Sequence, residues 1–300
     1  MAIVATRKLV IAATVVVALI AALVLDGLST RLGNSKTSFV YEEGAGSSVF
    51  TIVLGGMKAD AELHSRQIRP ALLELGPTLT AVYDPVRFNA REVALQTAHE
   101  IDTRLKPADD PKILILGSSL GTQVGLYLLD ILKLLGFKKL HLMAADSPMN
   151  AEDLCQKRGA ETLGTLWWAG RGQNAAFSRL QRKGVEDRPH DSDSDDAVRL
   201  ENYQATKQYP ASATSDQIRN LARHTAPPAG SYQHVELVVL RSENDTEVRS
   251  TADQKLFDAF GVGSYRRLII PGTSHVSYVE HPGKWQAGIR KGQKILGLRP

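Results

Sequence analysis

Apolar and polar positions along most of this chain follow two patterns, one typical of strands and one typical of helices. Short apolar runs, most of them rich in β-branched residues and closed by Gly, Pro, Asn or Asp, have the pattern of strands. They are SFVYEE, SSVFTIVLGG, TLTAVYDP, KILILG, KKLHLMAADSP, HVELVVLRSEND and YRRLIIPG. Segments with helical spacing of apolar residues lie between several of them, namely NAREVALQTAHEIDTRLK, residues 120–135, STADQKLFDAFG and PGKWQAGIRKGQKILG. The alternation predicts an α/β fold, with helices covering both faces of a mostly parallel central sheet.

The alternation is interrupted between residues 149 and 232. Helix-like pieces, two adjacent tryptophans and the acidic stretch EDRPHDSDSDD replace the strand pattern there. We predict that residues 149–232 form an inserted helical cap over a core made of residues 37–148 and 233–300. Trp167 and Trp168 either line an apolar substrate site in this cap or pack the cap onto the core. The acidic stretch lacks the Gly and Glu of a calcium-binding loop, which favours a mobile, solvated loop.

Residues 1–36 have a different composition. Arg7 and Lys8 precede an uncharged apolar run from Leu9 to Leu25, and a polar linker follows it. The run is at the short end of the length range of a membrane-spanning helix and longer than the usual core of a signal peptide. Because no small-residue cleavage pattern follows, we expect an uncleaved signal anchor at residues 9–25, with secretion after cleavage as the alternative. Basic residues stand on both sides of the run, Arg7 and Lys8 before it and Arg31 and Lys36 after it, so the positive-inside rule gives only a slight preference for a location of the remaining chain outside the cytoplasm.

The composition narrows the classes of partner and site. The net charge is only +4, and basic residues form no run or stripe interleaved with aromatics, so nucleic acid is not an expected partner. The single cysteine, Cys155, excludes an internal disulfide and a cysteine-rich zinc site.

Gly-Ser-Ser-Leu-Gly, at residues 117–121, links a buried strand pattern to a long apolar helix pattern. A serine exposed on such a sharp turn is typical of a nucleophile elbow, in which glycines let strand and helix approach closely. Ser119 is therefore a candidate nucleophile at a helix N-terminus, where backbone N–H groups favour developing negative charge. The motif by itself is equally compatible with a structural turn.

A serine nucleophile needs a histidine base and a carboxylate that orients it. In this type of sheet both follow later strands, in the order Ser, Asp or Glu, His. His275 is the histidine in the loop after the last strand pattern, within GTSHVSYVEHP. Asp245, within SENDTEV, is the preferred acid, and Asp146, after the LHLMAA run, is the alternative.

An oxyanion hole needs two backbone donors, one of them from the residue after the nucleophile. Leu120 supplies that donor. The segment VLGGMKADA ends an earlier strand pattern and is placed to supply the second donor, for which we expect the N–H of Met57.

With these pieces in this order, residues 37–300 resemble the α/β-hydrolase superfamily. The resemblance rests on GSSLG, SENDTEV and GTSHVSYVEHP at the ends of predicted strands. A serine at the elbow resembles the esterase, lipase and thioesterase branches; the dehalogenase and epoxide hydrolase branches have an aspartate there. The resemblance implies a serine hydrolase that cleaves a small-molecule or lipid-like ester or thioester without metal or organic cofactor, and the apolar run at residues 9–25 adds the expectation of a membrane anchor. The alternatives are an acyltransferase with the same triad and a non-catalytic binding protein of the same fold.

Overall fold

The computed structural model describes residues 36–299 except for 47–48, 57–60, 85–86, 156–189, 209–210 and 262–265. It also describes three single positions nearer the N-terminus, Thr14, Val17 and Ala21. Most of the predicted anchor at residues 9–25, as well as Met57, Trp167 and Trp168, lies outside the described residues. Within the described part of the chain, no helix has both the length and the apolar character needed to cross a membrane.

A seven-stranded sheet forms the centre of the molecule, in the order β1-β3-β2-β4-β5-β6-β7. The strands are β1 (Ser38–Glu42), β2 (Val49–Leu54), β3 (Thr78–Val82), β4 (Lys112–Ser118), β5 (Lys139–Ala145), β6 (Glu236–Ser242) and β7 (Arg267–Ile270). Strands β2 to β7 are parallel, and β1 lies antiparallel to β3 at one edge of the sheet. Each strand pattern read in the sequence corresponds to one of these strands.

We call the edge of the sheet at which β2 to β7 end the carboxyl edge, and the opposite one the amino edge. Parallel α/β sheets carry their ligand sites at the carboxyl edge, because the loops from several strands converge there. The candidate residues Ser119, Asp146, Asp245 and His275 all follow strands at this edge.

Helices cover both faces of the sheet. They are α1 (Ala61–Leu73), α2 (Ala90–Arg104), α3 (Gly121–Leu134), α4 (Asp196–Gln208), α5 (Ala211–Arg223), α6 (Thr251–Phe260) and α7 (Pro282–Ile295). Residues of α2, α3 and α6 share one apolar cluster with one face of the sheet. Residues of α1 and α7 share a second cluster with the other face. The predicted fold class is confirmed.

The strand β4 shows how a buried strand serves both clusters. Ile113 and Ile115 belong to the cluster with α2 and α3, while Leu114 and Leu116 belong to the cluster with α1 and α7. Successive side chains of a strand point to opposite faces, so a strand covered on both faces must be apolar throughout.

The helix ends follow local chemistry. The Asn89 side chain accepts hydrogen bonds from the N–H groups of Arg91 and Glu92, as expected for an N-cap of α2. Gly136 follows α3 with a φ of 93°, a conformation that costs glycine little.

The region predicted as a cap contributes α4, α5 and a short 3₁₀ turn, Ala151–Asp153, to the described structure. Helix α4 contacts the core at α1, where the Arg66 guanidinium lies 3.0 Å from Glu201. Helix α5 contacts the loop before α2, since Asn220 accepts from the N–H of Ala90 and donates to the carbonyl of Phe88. The cap boundaries at residues 149 and 232 remain a prediction.

The acidic stretch is anchored at residues 191–194, so the prediction of a mobile, solvated loop is wrong there. The Asp191 carboxylate lies 2.8 Å from Lys284 Nζ and 3.0 Å from His281 Nδ1. Asp193 accepts from the N–H of Gly283 in the first turn of α7. The hydrogen bond from Lys284 is the main reason that the pKa of Asp191 is lowered. Attraction between these charges and the positive end of α7 fixes the loop.

Candidate active site

Ser119 occupies a sharp turn between β4 and α3. Its φ is 50°, in the left-handed region that non-glycine residues rarely adopt. The flanking glycines leave the space that this turn needs. A Cβ on Gly117 would lie 2.7 Å from the Cα of Thr122, and one on Gly121 would lie 2.6 Å from the Gly55 oxygen. The strained serine between two crowded glycines has the geometry of a nucleophile elbow.

The ring of His275 joins Ser119 to Asp245. Nε2 of His275 lies 3.1 Å from the Ser119 Oγ, and Nδ1 lies 3.1 Å from Oδ2 of Asp245. The serine is 7% exposed and the Asp245 side chain 1%, so the acid is shielded while the serine keeps some access to solvent. The three side chains come from residues up to 156 positions apart, and the fold brings them into one line.

The loop 243–249, which we call the acid loop, fixes the carboxylate of Asp245. Its Oδ1 accepts from the N–H groups of Glu247 at 2.8 Å and Val248 at 3.0 Å. The Arg241 guanidinium lies 3.4 Å from Oδ2 on the other side. Hydrogen bonds and a neighbouring cation both favour the ionised carboxylate. Although burial acts in the opposite direction, the hydrogen bond with His275 and these contacts hold the pKa of Asp245 below its usual value.

Two residues at the start of the predicted cap, Leu154 and Cys155, contact the acid loop. Leu154 forms an isolated antiparallel bridge with Val248, and the N–H of Cys155 donates to the Glu247 carbonyl at 2.9 Å. Because Val248 also donates to Asp245, this pairing helps to set the position of the candidate acid.

The end of β2 lies against the candidate nucleophile. A Cβ on Gly56 would approach the Cβ of Ser119 to 3.2 Å, and the Tyr83 hydroxyl donates to the Gly55 carbonyl at 3.1 Å. Leu120 directly follows Ser119 and is buried. Leu120 and the Gly55–Gly56 segment therefore lie where the sequence predicts an oxyanion hole. Met57, the predicted second donor, lies outside the described residues.

A sequence profile of the alpha/beta hydrolase family matches residues 44–288. The chain belongs to the α/β-hydrolase family. This assignment supports a hydrolase. A search of curated proteins finds no significant match.

Solved structures of other α/β-hydrolases share the fold. A monoglyceride lipase from Saccharomyces cerevisiae matches with a TM-score of 0.62 and 13% identity, over 88% of this chain and 92% of that chain. A bromoperoxidase from Bacillus anthracis matches with a TM-score of 0.61 and 13% identity, over 90% and 98%. An esterase from Rhodococcus sp. matches with a TM-score of 0.58 and 14% identity, over 87% and 96%. At such identities the likeness establishes the fold alone.

A second buried carboxylate, Asp146, lies in this α/β-hydrolase beside the candidate triad. It follows β5 with a φ of 45° and is fully buried. Its Oδ1 accepts from the Ser242 N–H at 2.7 Å, and its Oδ2 accepts from the Val276 N–H at 2.9 Å. Asp146 thus ties β5 to β6 and to the loop that carries His275. Burial is the main reason that its pKa is raised.

Three carboxylates act against burial to set the pKa of His275. Burial lowers its pKa, but the hydrogen bond with Asp245 and the charges of Glu247, Asp146 and Asp245 outweigh burial and raise the pKa to about 9. Glu247 approaches Nε2 from the solvent side, with Oε2 3.9 Å away. The cluster therefore favours the imidazolium ion, which is the form that a base reaches after accepting a proton.

Three members of this cluster also have the composition of a metal site. Potential ligand atoms of Asp146, Asp245 and His275 lie within 4.8 Å of one another. Each is already hydrogen bonded, however: Nδ1 of His275 faces Asp245, and both oxygens of Asp146 accept from backbone N–H groups. Proton transfer explains the arrangement without a cation.

A buried charge network, which was not predicted from the sequence, lies behind the candidate acid. Arg241 of β6 lies 3.8 Å from Asp253 of α6, and Arg267 of β7 lies 2.9 Å from the same carboxylate. Asp253 is fully buried, which raises its pKa to about 6 despite the two arginines. The signal in the sequence was an arginine inside the apolar run ELVVLRS, since a charge in a buried strand needs a partner.

The residue before Ser119 is also held by a contact that was not predicted from the sequence. The Ser118 hydroxyl lies 2.6 Å from the Tyr278 hydroxyl, and both side chains are buried. The Tyr278 ring packs edge-on against Trp285 of α7, with 4.6 Å between centroids. This contact ties the elbow to α7, the helix that follows the His275 loop.

Proposed function

We propose that this α/β-hydrolase is a serine hydrolase that cleaves a carboxylic ester or thioester through an acyl-enzyme on Ser119. The observation that carries the proposal is the continuous contact from Ser119 Oγ through the ring of His275 to Asp245, with 3.1 Å at each step. An uncoupled serine hydroxyl is a weak nucleophile, and this alignment is what activates it.

In the first half-reaction, Oγ of Ser119 attacks the carbonyl carbon while its proton moves to Nε2 of His275. Asp245 stabilises the resulting imidazolium through Nδ1–H. The N–H groups of Leu120 and Met57 are the proposed donors to the oxyanion. His275 then gives the proton to the leaving alcohol or thiol, and the acyl group stays on Ser119.

In the second half-reaction, His275 takes a proton from water, and the hydroxide formed attacks the acyl carbon. The proton returns to Ser119 Oγ as the acid leaves, so the enzyme regains its starting state. Neither step uses a metal or an organic cofactor.

We further propose that residues 9–25 anchor the protein in a membrane, with the hydrolase core outside the cytoplasm. The support is the uncharged apolar run preceded by Arg7 and Lys8. A lipid-like ester suits such a location, and Trp167 and Trp168 are the candidates to line its acyl site.

A fluorophosphonate probe tests the proposed chemistry, because it phosphonylates only an activated serine. We expect labelling of the wild type and none of Ser119→Ala. Ser118→Ala is the matched control: it removes the neighbouring hydroxyl, which bonds Tyr278 and points away from His275 in the hydrogen-bond pattern. Turnover of short- and long-chain aryl esters should follow the same order. Full activity of Ser119→Ala would disprove the mechanism.

A further inference from the structure

We propose that the carboxyl edge of the sheet faces the membrane, so that the substrate is an ester that resides in the lipid bilayer. The inference rests on the proposed hydrolase function and on the proposed anchor. It deepens them by stating which side of the molecule meets the lipid.

The direction of β1 determines where the N-terminal segment joins the fold. Ser38 of β1 pairs with Val82, the last residue of β3, and Glu42 pairs with Thr78, the first. Because β1 is antiparallel to the other strands, it begins at the carboxyl edge. Residues 1–37 therefore meet the folded core on the side that carries Ser119.

As a flexible chain the ten-residue linker has an average end-to-end distance of about 18 Å, comparable with the length of the strands, so the edge at which it joins the core stays nearer to the anchor on average. Residues 26–35 connect the apolar run to Lys36 and span at most about 35 Å when fully extended. Strand β1 is three positions from β4 in the sheet, or about 14 Å. The amino edge lies a further strand length away, about 20 Å for β5. The carboxyl edge is thus the nearest part of the core to the proposed membrane segment.

Hydrogen bonds fix the junction close to the candidate site. The N–H of Lys36 donates to Asp84, just after β3, at 3.3 Å. The neighbouring Tyr83 donates to the carbonyl of Gly55, in the segment that lies against Ser119. The segment that connects the proposed anchor to the core therefore joins the fold one loop away from the proposed oxyanion segment.

The C-terminus lies at the opposite edge. Helix α7 follows the His275 loop and runs back along the sheet. Near its end, Gln293 donates to the Ala71 carbonyl at 3.1 Å, and Arg299 donates to the same oxygen at 2.9 Å. Ala71 precedes β3, which places it at the amino edge. An anchor at the N-terminus and one at the C-terminus would therefore present opposite edges to the bilayer.

The first experiment measures orientation without using activity. Cys155 is the single cysteine, is exposed, and contacts the acid loop at the carboxyl edge. The full chain is labelled there with a donor fluorophore and reconstituted in phosphatidylcholine vesicles that carry acceptors on lipid headgroups. The matched protein is Cys155→Ser with Lys138→Cys, which labels the exposed residue before β5 at the amino edge.

We expect about twofold or greater energy transfer from the Cys155 label, because roughly 20 Å separate the two edges. The amino edge exposes apolar side chains of its own, Leu134 at 87% and Leu135 at 41%. The experiment therefore compares the proposed edge with another edge that has apolar groups for contact with lipid. Equal transfer, stronger transfer from Lys138→Cys, or no transfer from either label overturns the proposal.

The second experiment moves the anchor. Residues 1–35 are removed from the N-terminus, and the linker 26–35 followed by the apolar run 9–25 is placed after Pro300; both proteins are reconstituted in vesicles containing a monoacylglycerol. With a water-soluble aryl butyrate, kcat/KM should be the same for both. Hydrolysis of the vesicle-borne ester should fall about tenfold when the anchor is at the C-terminus, because the linker then holds Ser119 away from the lipid.

The outcomes separate the two proposals. Equal hydrolysis of the vesicle-borne ester by both proteins overturns the orientation, while aryl ester turnover leaves the hydrolase function intact. Absence of all ester turnover and of fluorophosphonate labelling overturns the hydrolase function, and the energy-transfer result still decides the orientation.

Discussion

Asp245 faces the Nδ1 atom of His275 at 3.1 Å, on the side of the ring opposite to Ser119. Asp146, in contrast, makes its hydrogen bonds with Ser242 and with the backbone of Val276. Of the two acids that the sequence left open, we therefore propose Asp245 as the residue that orients the imidazole and Asp146 as the one that holds the loop.

Asparagine substitutions separate these roles. Asp245→Asn should lower kcat with an aryl ester about ten-thousandfold, because an amide favours the wrong tautomer of His275. Asp146→Asn should keep most of the turnover but cost about 1–3 kcal/mol of unfolding free energy, since one buried N–H loses its acceptor. Stopped-flow kinetics and urea denaturation measure the two effects. The reverse pattern would make Asp146 the catalytic acid.

The activity should rise with pH into the alkaline range. His275 acts as a base only when neutral, and its pKa is about 9, so kcat/KM should increase up to about that pH. Glu247→Gln removes a carboxylate near Nε2 and should lower this pKa. Because Glu247 is 47% exposed, solvent weakens its effect, and we expect a shift of the acid limb by about half a pH unit. Glu236→Gln makes the same charge change at the amino edge and should leave the limb in place.

The buried charge network makes Arg241 a structural residue as well as a neighbour of the acid. Arg241→Met should cost about 3–5 kcal/mol of unfolding free energy at pH 8, because Asp253 and Asp245 lose a shared cation. Arg267 contacts Asp253 but not Asp245, and it is more exposed to solvent than Arg241. Arg267→Met should therefore cost less unfolding free energy than Arg241→Met.

The pH dependence of that cost provides a further check. Burial raises the pKa of Asp253 to about 6, above its unfolded value, so the protonated carboxyl is the form that the fold tolerates better. As the pH falls below 6, Asp253 takes up a proton and needs its arginines less. Urea unfolding of Arg241→Met at pH 5 and pH 8 should show the smaller loss at pH 5. A loss independent of pH would contradict this account.

The elbow glycines should tolerate no side chain. In Gly121→Ala the added methyl meets backbone oxygens of Leu54 and Gly55, which have no room to move, so we expect a loss of several kcal/mol and of fluorophosphonate labelling. Gly125→Ala lies one turn later in α3, where the methyl meets side chains at 3.2 Å or more. Its higher helix propensity offsets this crowding, and its stability should stay within about 1 kcal/mol of the wild type.

Much of the fold was readable because its signals are local. Each strand is a short apolar run, most of them rich in β-branched residues, and the long helices have regular apolar spacing. The strand order was not readable, since pairing depends on residues far apart in the chain. Helix α1 escaped a bounded prediction because Pro70 lies inside it, in an otherwise helical pattern.

The residues of the candidate site also divide into those with a local signal in the sequence and those without one. Ser119, Asp245 and His275 each follow a strand pattern, and that shared position made them candidates. Arg241 and Asp253 were not, because an ion pair between a strand and a later helix has no local pattern. The acidic stretch was misread for a related reason: Lys284, the cation that holds Asp191, lies 93 residues away.

The bridge between Leu154 and Val248 has a practical consequence for engineering. The acid loop takes part of its shape from Leu154 and Cys155, which lie inside the predicted cap, so the acid loop and the predicted cap are not independent modules. A chimaera that receives a foreign lid should therefore be joined after Cys155. A junction at Met149 would replace the segment that supports Asp245 and cost the hybrid its catalysis, whatever the new lid binds.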